Sequence, residues 1–174
     1  NDKLFFTTTN SFDIKNYFVT KNFDNKNFFY YDVKYIDIFD TTLNKWETKI
    51  DFAGTPSEYF GDYCLWISDN KTGKSYSLQW ITDAMDIFDT INFKWSVNTI
   101  PILYWDYVDQ SVYGPPRILL PSGKIIHIGG KTDSYKKLME RLLTYDTITD
   151  SWEIINTIGE IPDERTFHTA VLSK

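Results

Sequence analysis

The sequence predicts an all-β repeat protein, and two observations carry that expectation. A seven-residue pattern occurs three times, as Asp40-Thr41-Thr42-Leu43-Asn44-Lys45-Trp46, Asp89-Thr90-Ile91-Asn92-Phe93-Lys94-Trp95 and Asp146-Thr147-Ile148-Thr149-Asp150-Ser151-Trp152. Its Trp residues lie 49 and 57 positions apart, a period expected of stacked copies of one supersecondary unit. Each copy is also entered through a short apolar run: Tyr35 to Phe39, Met85 to Phe88 and Leu142 to Tyr145.

An apolar run, a polar turn and then an aromatic residue describe two antiparallel strands joined by a short loop. The Asp and Thr side chains can hold such a turn by bonding nearby backbone amides. Each Trp opens the next strand. Burying roughly 150 to 250 Å² per ring, one Trp per repeat can anchor each sheet on its neighbour.

The elements follow in order. Lys3 to Thr9 reads as a strand, and Asn10 to Asn27 as a long polar loop with room for a short extra strand. Phe28 to Val33 is strongly β-forming and runs into the first Asp-Thr turn. Glu47 to Phe52 is a strand and Ala53 to Ser57 a turn cluster. Tyr59 to Ser68 holds one or two strands, Asp69 to Lys74 a polar loop, and Ser75 to Ile81 and Met85 to Phe88 two further strands. Beyond Trp95, the aromatic connection containing Trp105, Tyr107, Tyr113 and Gly114-Pro115-Pro116 is expected to form an exposed surface.

The third cycle is the most regular. Pro116 to Leu120 is a strand, Pro121-Ser122-Gly123 a turn, and Lys124 to Gly130 a strand ending in a glycine pair. Arg141 to Tyr145 and Trp152 to Ile155 complete it, and Pro162 to Leu172 restarts the cycle. Four strands per cycle is the content of a propeller blade.

Composition bounds the rest. The chain has 174 residues, 42% hydrophobic and 18% aromatic, which supplies a core and argues against global disorder. A formal net charge of −6 argues against nucleic-acid binding, which wants a basic face. The single cysteine, Cys64, lies in the apolar run Tyr63 to Ile67 and reads as a small core residue. No segment approaches the roughly 20 apolar residues that span a bilayer. The chain opens on Asn1 without a leader peptide, so the expectation is a processed start or a piece of a longer protein. These features together lean toward the cytoplasm. The Asn70-Lys71-Thr72 acceptor pattern for a glycan carries little weight in so Asn-rich a chain.

At this point the third cycle resembles the kelch repeat. The residues that carry the match are Pro116-Arg117 before the first strand, Gly129-Gly130 ending the second, Tyr145-Asp146 ending the third and Trp152 opening the fourth. Arg165 and His168 resemble the arginine and histidine of a following repeat. The first two cycles depart from the pattern: Thr8-Thr9 and Ser68-Asp69 stand where the glycine pair is expected, and Ser57-Glu58 near the arginine. The resemblance implies a kelch-type β-propeller portion of about three four-stranded antiparallel blades. Its repeats run over about 1–52, 53–100 and 112–158, with the start of a fourth at about 162–174. Structural repeat positions are Asp40, Trp46, Asp89, Trp95, Gly129, Gly130, Tyr145, Asp146 and Trp152. About 4 to 8 blades close such a ring, so the expectation is part of a six- or seven-bladed propeller. Its missing blades would come from the same polypeptide or from self-association.

The resemblance implies a protein-interaction scaffold that binds a protein or peptide through loops on one face. The alternative class is a copper-radical oxidase resembling galactose oxidase, whose ligands would have to lie elsewhere. His127 and His168 fit structural positions better than metal ligation, and no catalytic residue, metal site or cofactor is assigned. The possible partner-binding residues are Arg117, Arg165, Tyr135, Lys136, Lys137 and Trp105, whose cations suit an acidic peptide. The bland reading of both arginines is that they brace neighbouring blades.

Overall fold

The structure is a computed structural model and describes residues 3–9, 33–57, 66–79, 83–107, 116–130, 139–163, 165 and 168–173. Among the described residues, eleven strands form three antiparallel sheets, an all-β arrangement with one 3-10 helix, Ile102–Tyr107. Sheet 1 holds β1 (Lys3–Thr9), β2 (Val33–Asp40) and β3 (Lys45–Ile50) in that order. Sheet 2 holds β4 (Ile67–Asp69), β5 (Lys74–Gln79), β6 (Ala84–Asp89) and β7 (Lys94–Thr99). Sheet 3 repeats the meander with β8 (Arg117–Leu119), β9 (Lys124–His127), β10 (Arg141–Asp146) and β11 (Ser151–Asn156). Four-stranded antiparallel meanders stacked in series are compatible with propeller blades.

The repeated heptad sets the last hairpin of every sheet. Phe39 pairs with Trp46, Phe88 with Trp95 and Tyr145 with Trp152. Between them, one carboxylate oxygen of the turn Asp accepts two amides: Thr42 and Leu43 on Asp40, Ile91 and Asn92 on Asp89, Ile148 and Thr149 on Asp146, all at 2.9–3.1 Å. The last turn residue has positive φ each time: Asn44 at 51°, Phe93 at 49° and Asp150 at 55°. The threonine has a different role from the expected amide contact. The Thr90 hydroxyl and amide both donate to the Gly73 carbonyl, and those of Thr147 to the Gly123 carbonyl. The second and third Asp-Thr turns are thereby tied to the turn of the first hairpin in their own sheets.

Packing between sheets uses the same aromatic pair. In one core cluster Phe88 and Trp95 of sheet 2 lie with Ile36 and Ile38 of sheet 1. In the other, Tyr145 and Trp152 of sheet 3 lie with Tyr76, Leu78, Met85 and Ile87 of sheet 2. Strand alternation produces this, because Met85 and Ile87 point away from Phe88 and so face the opposite sheet. Sheet 2 is therefore covered on both faces. Trp95 is 2% and Trp152 7% exposed, whereas Trp46, the third of the expected anchors, is 51% exposed.

Two further expectations need correction. Ala53 to Ser57 is more than a turn: Ala53 bridges Lys94 in parallel, its amide donating to the Phe93 carbonyl and its carbonyl accepting from Trp95, both at 2.8 Å. Ser57 then donates its amide and hydroxyl to the buried Asp86 carboxylate, both at 2.8 Å. The described residues of 162–173 form no strand, although an alternating apolar pattern there reads as one. Residues 10–32, Tyr59 to Leu65 and 108–115 lie outside the described residues, and with them the long loop, most of the Phe28 to Val33 strand, Cys64 and Tyr113.

Gly54 has φ +79°, and a Cβ there would run into the Trp95 carbonyl oxygen, which is backbone and cannot give way. Gly159 has φ +95° with open space around it. Gly54→Ala is expected to cost roughly 2–4 kcal/mol and Gly159→Ala about 1 kcal/mol, because only the first adds a steric clash to the backbone strain. Equal losses in urea unfolding would contradict the bridge at Ala53.

Candidate interaction surface

The pairing register places one end of each sheet. Gln79 pairs with Ala84 and Ala84 with Thr99, so the link between β5 and β6 and the exit from β7 share an end. In sheet 3 the start of β8 and the end of β9 meet as Arg117 and His127, and Arg141 pairs with Asn156. The exits are pinned to these links alike, Ile100 donating to the Asp83 carbonyl and Thr157 to the Glu140 carbonyl, both at 2.7 Å.

Arg117 is half-buried at this end, and its Nη2 donates to the Leu78 carbonyl of sheet 2 at 3.2 Å. The guanidinium thus braces two sheets. It also lies near His127, which is 3% exposed; burial first, and the Arg117 charge second, hold the imidazole well below its ordinary pKa. A neutral imidazole packed near the Trp152 ring, at 6.4 Å between centroids, is a core residue.

Gly129 and Gly130 follow β9, which ends at His127 and not at the glycine pair, with φ 68° and 106°. A Cβ on Gly129 would sit 2.9 Å from Met139 Sδ and 3.1 Å from both the Arg165 carbonyl oxygen and His168 Cε1. Gly130 donates its amide to that same Arg165 carbonyl at 3.2 Å. The glycine pair is there to let the segment carrying Arg165 and His168 approach the backbone. Arg165 itself is exposed, its Nε donating to the Asp163 carbonyl at 3.2 Å.

Of the six residues singled out for partner binding, the structure locates two side chains at this end, Arg117 in a brace and Arg165 in solvent. Trp105 lies in the 3-10 helix, with its side chain outside what is described, and Tyr135, Lys136 and Lys137 fall in 131–138, outside the described residues. Three residues that sequence reading passed over do stand out. Ile102 and Leu103, leaving β7, and Ile158, leaving β11, are largely exposed. Their signal is faint, since Ile102-Leu103 is a single apolar pair beside aromatics and Ile158 a lone aliphatic between Thr157 and Gly159.

Asp83 occupies the link between β5 and β6 with φ 48°, and burial pushes its carboxyl up to about 6. Among the described residues no group of three or more His, Cys, Asp or Glu is placed to hold a metal ion. No helix of the described residues is long and apolar enough to cross a membrane.

Asp83 holds its proton more tightly folded than unfolded, where its carboxyl sits near 3.8. Stability is fullest below that lower value and falls as pH rises through about 6. Asp83→Asn, whose amide also tolerates positive φ, is expected to gain about 1–2 kcal/mol at pH 7 after allowance for solvent screening. The gain should vanish near pH 4 in thermal unfolding; a gain independent of pH would point to backbone conformation alone.

No family model matches this chain, and no curated protein matches it.

Proposed function

We propose that the chain is a portion of a kelch-type propeller that serves as a protein-interaction scaffold, its partner binding at the end of the sheets from which β7 and β11 exit. The kelch reading is supported by the roles of the residues that suggested it. Arg117 braces, Gly129 and Gly130 admit the next segment, and Tyr145 and Trp152 form the aromatic pair. The binding reading is carried by the exposed aliphatic residues Ile102, Leu103 and Ile158. Apolar side chains held out by rigid strand exits are what a partner can desolvate. The exposed Arg165 supplies a cation for an acidic group at the rim.

The test is co-purification from the source cells with tagged wild-type chain and with an Ile102→Asp, Leu103→Asp double variant. Any true partner should be reduced at least tenfold, since core truncations at an interface cost about 2 kcal/mol or more. Unchanged thermal unfolding should accompany that loss, because neither side chain is buried. Identical partner profiles for the two proteins would overturn this site.

A further inference from the structure

The two strand exits that carry Ile102, Leu103 and Ile158 are pinned alike, but by unlike residues. Ile100 donates its amide to the Asp83 carbonyl and Thr157 its amide to the Glu140 carbonyl, both at 2.7 Å. In sheet 3 the pin is reinforced, since the Thr157 hydroxyl also bonds the Met139 and Glu140 carbonyls at 2.9 and 3.1 Å, and the Glu140 side chain is exposed. In sheet 2 the pin among the described residues is the one amide bond. Its acceptor belongs to an aspartate held at φ 48°, a left-handed conformation that costs an L residue backbone strain.

The side chain of that aspartate is as unusual as its backbone. Asp83 Oδ1 is buried and has no hydrogen-bond partner among the described residues. A carboxyl so placed accepts the neutral form and resists the charged one, because no donor or cation offsets the charge. The charged groups around it are engaged or in solvent. Asp86 of β6 accepts from Ser57, Arg117 of β8 donates to the Leu78 carbonyl, and Glu140 and Arg165 are exposed. Ala84, next in the chain, and Ile100 and Pro101 of the exit carry no charge. Burial is what raises the Asp83 carboxyl to about 6, so its proton is exchanged between mild acid and neutrality.

We infer that Asp83 is a proton-operated pin, which holds the β7 exit, and with it Ile102 and Leu103, when protonated and releases that exit on ionisation. An ionised carboxylate must gain water, and the backbone that gives way is the strained link whose carbonyl holds Ile100. Ile158 keeps its place, because its own pin carries no buried acid. The two halves of the exposed surface are therefore aligned in mild acid and uncoupled at neutral pH, and a partner that spans both binds more tightly in acid. That last consequence rests on the partner-binding reading of this surface, whereas release of the exit does not.

Amide exchange of the 174-residue chain, followed residue by residue and corrected for intrinsic rates, tests the pin with no partner present. Protection of the Ile100 amide is expected to fall roughly fivefold or more between about pH 5 and about pH 7.5, while that of Thr157 holds. The Asp83 carboxyl carbon should titrate in step with that fall. In Asp83→Asn the Ile100 amide should stay protected throughout, and in Glu140→Gln the wild-type fall should persist. Equal falls at Ile100 and Thr157 would mean a global loss of stability and overturn the inference. So would a fall that survives Asp83→Asn, or an Asp83 midpoint at its ordinary 3.8. Unchanged partners for the Ile102→Asp, Leu103→Asp variant would sink the binding surface alone and leave the exchange result standing.

Discussion

The structure depends on one contact, a pair of aliphatic side chains on the penultimate strand of one sheet set against the aromatic pair of the next. It joins sheet 1 to sheet 2 through Ile36, Ile38, Phe88 and Trp95, and sheet 2 to sheet 3 through Met85, Ile87, Tyr145 and Trp152. Its energy is apolar burial, and truncating so buried a Trp typically costs about 3–5 kcal/mol. Polar additions make the second junction directional. The Trp152 indole donates to Asn98 at 2.8 Å, Asn98 donates to the Asp150 carbonyl at 2.9 Å, and the Tyr104 hydroxyl donates to the Trp152 carbonyl at 3.3 Å.

Within each sheet the turns do the complementary work. A carboxylate that accepts two amides fixes the tight turn, and in Asp146 those amides, from Thr149 and Ile148, hold the carboxyl below its ordinary range. Hydroxyl-to-carbonyl bonds from Thr90 and Thr147 then lock neighbouring hairpins in register. Ile91 and Ile148 lie over Gly73 and Gly123, which is why a side chain at either glycine would meet an isoleucine. The aromatic pair can stack face after face because these turns set its height on every strand pair.

Much of this was legible in the sequence. The Trp period, the Asp-Thr turns and the apolar runs that lead into them are local patterns, and local geometry obeys them. Arg117 donates to the Leu78 carbonyl and His127 is buried, contacts that lie across sheets and strands and are not local in sequence. What stayed hidden depends on partners remote in the chain. Ser57 reads as a turn residue until Asp86, 29 residues on, is seen to need its two donors. Trp46 reads like its two equivalents, and nothing near it in sequence says that half of its surface is exposed. Ile102, Leu103 and Ile158 have no periodicity to mark them, because exposure belongs to the assembled sheets.

Coverage of sheet 2 on both faces has a consequence for how the chain comes apart. In a linear stack each unit is stabilised by itself and by its neighbours, so the middle one shares two junctions while each outer one described here shares a single one. Opening of sheet 1 or sheet 3 forfeits one aromatic contact, but opening of sheet 2 forfeits both and releases its neighbours as well. Amide exchange should then rank the sheets, with the protons of β5 and β6 slowest and lost only in global unfolding. Cooperativity in this protein resides in its centre.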